Sequence, residues 1–176
     1  MLIRLARQED PPKLAAIERS AASLFRDVGL DWIADGDTMQ PDLLIAMCRS
    51  GSVWVAVDDA DEPVGFLAAY PLDEQFHISE ISVARSHQRR GIGAALIAAA
   101  TDYARTQNFR SLTLTTYRDV PWNGPFYTAL GFVEIDASAA GPEHQRKLRT
   151  EAEAGHDVSR RCVMTKAIKP AVAPQS

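Results

Sequence analysis

The chain has 176 residues, 46% of them hydrophobic, and a net charge of −4. That length suits one domain able to bury about two-thirds of its unfolded surface; the acidic balance argues against nucleic acid as a partner, and no apolar run approaches the ~18 residues that cross a bilayer. Two cysteines, Cys48 and Cys162, are too few for a disulfide framework, and the charged start Met1 to Arg7 does not read as a secretory leader, so a cytoplasmic location is expected.

Residues 2–5 read as a first strand. A helix is expected from about Asp10, with that aspartate as N-cap and Pro11 and Pro12 in the first turn. Leu14, Ile17, Ala21 and Leu24 then recur at helical spacing on one face. Residues 27–40 read as a polar loop broken by glycines, and 41–49 as a short helix. Two strands, 53–57 and 64–70, flank a turn and form a hairpin. The alternating run His77 to Val83 is a central strand, followed by a glycine turn and a helix reaching about Gln107. Residues 112–116 alternate as a further strand, 122–130 form a short helix, and 132–135 and 162–168 are the last strands. Between these two lies an insertion, 136–161, with a helical piece around 142–148. It is read either as a flap on the substrate side or as a decorated surface loop. Strands clustered early and helix–strand alternation later imply an α/β sandwich on a mixed sheet. Residues 1–168 are expected to form one domain and 169–176 a disordered tail.

The stretch from Gln88 to Ala94, Gln-Arg-Arg-Gly-Ile-Gly-Ala, carries most of the chemistry. A strand that turns through glycines into a helix N-terminus offers backbone N–H groups and the positive end of a helix dipole, a seat for an anion. Arg85, Arg89 and Arg90 stand beside it, so a phosphorylated cofactor is expected. No Gly-x₄-Gly-Lys-Ser/Thr run exists for a Walker loop. A dinucleotide fingerprint needs Gly or Ala where Leu96 stands.

A second motif runs from Asp119 to Phe132 and ends Tyr127-x-x-Leu130-Gly131-Phe132. With Gln88-x-x-Gly91-x-Gly93 it resembles the GCN5-related N-acetyltransferase (GNAT) family, over nearly the whole chain. The resemblance implies a mixed, mostly antiparallel sheet with helices on both faces, splayed at the fourth and fifth strands. It further implies acetyl-CoA as co-substrate and transfer of the acetyl group to a primary amine. One departure stands out: Asn123 lies where many members have alanine, and Val120 where they have asparagine, so the pantetheine contact falls to Asn123 one turn later.

By that resemblance the backbone from Arg89 to Ala94, through Gly91, Ile92 and Gly93, takes the pyrophosphate, beside Gln88. Ile81, Ser82 and Val83 line the pantetheine, the N–H of Val83 facing the developing oxyanion. Asn123, Phe126 and Tyr127 complete the cofactor set. An alkylamine with a pKa near ~10.4 is nucleophilic in only about one molecule in a thousand at neutral pH, so a carboxylate base is useful. Glu80, three residues before Val83, is the candidate, and an acidic residue stands there in several acetyltransferases, including spermidine/spermine acetyltransferases. His77 is the reserve base, read otherwise as a strand-end histidine facing water. Tyr127 would protonate the departing thiolate. Cys48 and Cys162 sit in apolar runs that suppress a thiolate, which favours direct attack in a ternary complex. The four histidines lack metal-ligand spacing, so no metal is expected. Asp27, Asp31, Asp35 and Asp37 with Trp32 read either as a pocket suited to a cationic amine or as a plain acidic surface loop. A small amine is slightly favoured as acceptor over a protein N-terminus, a homodimer is compatible, and no nucleic-acid or membrane partner is expected. The alternative reading is a catalytically silent acyl-CoA-binding sensor on the same fold.

Overall fold

The computed structural model describes residues 1–169; all of the expected tail except Lys169 lies outside the described residues. Seven strands, β1 Leu2–Leu5, β2 Val53–Val57, β3 Pro63–Leu72, β4 Gln75–Val83, β5 Ser111–Tyr117, β6 Val133–Ile135 and β7 Arg161–Ala167, form one sheet in the order β1-β2-β3-β4-β5-β7-β6. Among the described residues seven α-helices accompany it: α1 Pro11–Ala22, α2 Asp31–Ala34, α3 Pro41–Arg49, α4 Ile92–Thr106, α5 Gly124–Ala129, α6 Ala137–Ala140 and α7 Pro142–Glu153. Strand β2 pairs antiparallel with β1 and β3, and β7 does so with β5 and β6. The pairing of β4 with β5 is parallel and confined to Phe76↔Leu112 and His77↔Thr113. The sheet is therefore mixed, mostly antiparallel and splayed between its fourth and fifth strands, as expected. The chain divides into two compact units, one made of Met1–Ala69 with Ser79–Ala100, the other of Tyr70–Ile78 with the chain from Thr101 onward.

In the first unit β2 is buried along its whole length, which its unbroken run Val-Trp-Val-Ala-Val requires of a strand covered on both faces. Leu14 and Ile17 of α1 and Leu44, Met47 and Cys48 of α3 are buried, and the two helices pack together. Asp10 stands at the N-cap of α1 but does not cap it. Its side chain, 2% exposed, accepts instead from Arg4 at 2.6 and 3.2 Å and from the Arg7 N–H at 2.7 Å. A buried carboxylate beside a guanidinium does better as its ion-pair partner than as a cap. The segment read as loop 27–40 also needs correction. A 3₁₀ helix, Ser23–Val28, continues α1, ends on left-handed Gly29, and is followed by α2.

In the second unit β5 pairs with β7 over seven residues, from Ser111↔Ala167 to Tyr117↔Arg161. Phe76 is buried against Tyr103 and Phe109, ring centroids 5.6 and 5.1 Å away. The insertion carries more helix than its sequence suggested: α6, and an α7 that runs five residues beyond Leu148. Asp73, in the turn between β3 and β4, accepts from the first N–H groups of α7, Glu143 at 3.2 Å and His144 at 2.9 Å. Gln75 donates to the Ala140 carbonyl at 2.7 Å.

Candidate functional site

The turn after β4 has two residues in the left-handed region, Arg89 at φ 60° and Gly91 at φ 78°, just before α4 begins at Ile92. They bend the chain so that the first turn of α4, whose N–H groups have no acceptor within the helix, follows directly on the loop. The Gln88 carboxamide donates to the Val83 carbonyl at 3.0 Å and staples the loop to the end of β4. Arg89, Arg90 and Gly91 are exposed and Ile92 is buried. Arg90 donates to the Ser86 carbonyl at 3.2 Å. Arg85 is already engaged, by Asp27 at 3.1 Å and Ser23 at 3.3 Å, so the cationic side chains left closest to the turn in sequence are Arg89 and Arg90.

Further back along β4, Ile81 and Val83 are half-buried, Ser82 is buried, and Ser82 donates its hydroxyl to Glu80 Oε1 at 2.7 Å. Glu80 has a neighbour that sequence reasoning missed. Both oxygens of Glu18, on α1, accept from the Met39 N–H at 3.0 Å. Burial, with the charge of Glu80 added, pushes the Glu18 carboxyl up to about 7. The signal was present in the sequence. Positions 14, 17, 18 and 21 form one helical stripe, and Glu18 is the charged residue within it.

The second motif lies in the other unit. The Asn123 carbonyl accepts the Tyr127 N–H at 3.0 Å, opening α5. Asn123 and Phe126 are half-buried, while Tyr127 is 8% exposed with its ring edge-on to Phe126 and Phe132 at 5.2 and 5.7 Å. Gly124 sits so close to Arg118 that a Cβ there would lie 2.4 Å from the Arg118 carbonyl oxygen. His77 is not the water-facing histidine its place near a strand end suggested. It is fully buried, and that burial, with Lys147 and His144 nearby, drives its pKa down to about 2.

Burial raises the thiols of Cys48 and Cys162 to about 11 each, which leaves neither as a nucleophile. Among the described residues no group of three His, Cys, Asp or Glu side chains could hold a metal ion, and no helix is long and apolar enough to cross a membrane. Of the acids picked out near Trp32, Asp27 pairs with Arg85 and Asp35 with Arg26, so half of that proposed cation pocket is already neutralised.

Comparison with known proteins bears on the whole arrangement. The sequence pattern of the acetyltransferase (GNAT) family matches residues 21–132. A probable N-acetyltransferase 14 of Xenopus tropicalis is 33% identical over 66 residues, which make up 36% of this chain and 32% of that protein. The match thus spans about a third of that relative. Among solved structures, an acetyltransferase of the GNAT family from Staphylococcus aureus superposes with a TM-score of 0.70 at 18% identity, covering 96% of this chain and 99% of its own. N-acetylglutamate synthase from Neisseria gonorrhoeae, complexed with coenzyme A and N-acetyl-glutamate, gives 0.70 at 17% identity, covering 96% of this chain and 35% of its own. These two likenesses speak for the fold, and the sequence pattern extends over well over half of the residues. The chain belongs to the acetyltransferase (GNAT) family.

Proposed function

We infer that this protein is an acetyl-CoA-dependent N-acetyltransferase that moves the acetyl group to a primary amine by direct attack in a ternary complex. The observation that carries this reading is the turn between β4 and α4, with left-handed Arg89 and Gly91 and two exposed arginines, in a chain of this family. The backbone of Arg89 to Ala94 would hold the pyrophosphate, with Gln88 setting the loop. Ile81, Ser82 and Val83 would line the pantetheine arm, and the family resemblance adds Asn123, Phe126 and Tyr127 to the cofactor set. Acetyl-CoA supplies the thioester.

Glu80 takes a proton from the acceptor ammonium, leaving the free amine to attack the thioester carbon. As the C–S bond breaks, Tyr127 donates its phenolic proton to the sulfur, and the second amine proton passes through solvent to restore the Tyr127 hydroxyl as the amide forms. The acidic surroundings of Glu80, with Glu18 beside it, favour a cationic amine over a neutral acceptor.

A thiol-release assay with acetyl-CoA across a panel of small amines and N-terminal peptides tests this. Turnover on at least one amine is expected, with Glu80→Gln lowering kcat and displacing the pH–rate profile. Firm CoA binding without turnover on any acceptor would point to the silent sensor, and an unchanged profile would retire Glu80 as base.

A further inference from the structure

Three segments of the first unit meet at a pair of carboxylates. The last turns of α1 are strapped to the end of β4: Ser20 Oγ accepts the Arg85 N–H at 3.1 Å, and the Arg85 guanidinium reaches Ser23 Oγ at 3.3 Å and Asp27 at 3.1 Å. Two residues before Ser20, Glu18 feels the charge of Glu80 across on β4. The Met39 N–H, from the connection between α2 and α3, is shared by both Glu18 oxygens at 3.0 Å. The Ser82 hydroxyl holds Glu80 Oε1 at 2.7 Å. Glu18 and Glu80 are both half-buried, so neither is sealed from solvent.

The packing of α1 does not ask for an acid at position 18. Its companions on the stripe, Leu14, Ile17 and Ala21, are apolar, and a side chain like theirs would fill the place without cost. The carboxylate loses hydration there and meets a like charge. Burial first, and then Glu80, lift it to about 7; the Met39 N–H and the charge of Arg19, its neighbour on the helix, pull the other way without prevailing. One N–H divided between two oxygens leaves most of the carboxylate's four or so lone pairs unused. Among the described residues no lysine or arginine forms an ion pair with it. An ammonium group brought to both carboxylates would pair with Glu18 and offset the repulsion from Glu80 in one step.

An acceptor amine arrives as the ammonium and must be held before it is deprotonated, and one carboxylate cannot keep its charge for the first task while taking a proton in the second. We propose that Glu18 is a specificity-determining residue that, together with Glu80, receives the ammonium group of the acyl acceptor. This rests on the acetyl-transfer reading given above. As the cation binds, a protonated Glu18 gives its proton to solvent and stays ionised. Glu80 then takes one proton from the ammonium, and the free amine attacks. A neutral acceptor draws no proton from Glu18 and is held less well.

The test uses the full chain with ¹³C-labelled glutamate carboxyls, together with steady-state kinetics. The Glu18 signal is the one lost in Glu18→Gln. Without acetyl-CoA, methylammonium chloride, the smallest primary ammonium, should lower its titration midpoint by about one pH unit relative to sodium chloride at the same ionic strength. For an amine that the enzyme acetylates, KM should fall about tenfold from about pH 6 to about pH 8 as Glu18 ionises. In Glu18→Gln, whose amide oxygen can still take the Met39 N–H, that KM should stay near the parent's value at the lower pH throughout, and KM for acetyl-CoA should not change. A midpoint that methylammonium leaves where sodium does would overturn the proposal. So would an amine KM at the higher pH that is the same in Glu18→Gln and parent; in either case acetyl transfer itself still stands on the observed turnover. If no amine is turned over, acetyl transfer fails, and the titration alone decides: a lowered midpoint supports the ammonium site, and an unmoved one overturns it.

Discussion

Glu18 illustrates how a single side chain couples stability to pH. Its carboxyl is raised from 4.5 to about 7, first by burial and then by the charge of Glu80, so the folded state holds a proton that the unfolded chain has released. The contribution is fully present below about pH 4.5 and is lost as pH rises through 7. Glu18→Gln should flatten denaturation midpoints between these values and stabilise the protein at pH 8 by about 1 kcal/mol, given solvent screening at a half-buried group. Identical pH slopes in mutant and parent would refute this. Asp10 behaves in the opposite sense. Burial alone would raise it, but Arg4 and the Arg7 N–H outweigh burial and hold it below the usual carboxylate range. Its contribution is present at neutral pH and fades as pH falls through the depressed value. Asp10→Asn should cost about 2 kcal/mol at pH 7, read by urea unfolding, because a largely buried guanidinium loses the nearer of its two carboxylates and keeps only the half-exposed Asp61. Tyr127→Phe should slow turnover without abolishing it, since a thiol with a pKa near ~8.5 leaves tolerably unaided. At this scale residue types were legible and partners were not. The carboxylate of Glu80 could be picked from its place before Val83, whereas Glu18 comes to it from a helix some sixty residues away in sequence.

Two glycines show what whole elements require of the sequence. Gly91 needs its left-handed φ of 78° and has open space where a Cβ would go. Gly91→Ala should therefore cost only about 1 kcal/mol of backbone strain, seen as a small drop in Tm. Gly124 has the reverse need, since the Arg118 backbone fills that space. Gly124→Ala should cost about 3 kcal/mol, because a backbone atom must move. Equal losses at the two sites would refute this division. Long elements were legible because their periodicity repeats. The 3₁₀ helix Ser23–Val28 and the single turn of α2 were not, since segments so short offer too few positions for an apolar stripe. The bounds of α7 were missed for a related reason: only His144 of its residues is buried, so the core leaves little imprint on its sequence.

Across the whole molecule, the fold class was carried by the order of its strands and by two motifs, and both survive in the structure. What could not be read was which buried groups the topology brings together. The pairing of β4 with β5 places His77 opposite Thr113, and no local pattern announces that. The inert thiols bear on the kinetic scheme. With Cys48 and Cys162 both near 11, about one thiol in a thousand is ionised at pH 8. Double-reciprocal plots against amine at several acetyl-CoA concentrations should intersect; parallel lines, the mark of an acetyl-enzyme, would exclude direct attack.

The grip of Asp73 on the start of α7 has a consequence for motion. A helix with so little apolar surface inside has weak hydrophobic reason to stay ordered, and one carboxylate meets two of its leading amides as well as the His144 ring. Deuterium should then enter the amides of α7 beyond Pro142 as a cooperative block, well before those of β5. Replacing Asp73 with alanine should open that block further while leaving exchange in β2 untouched.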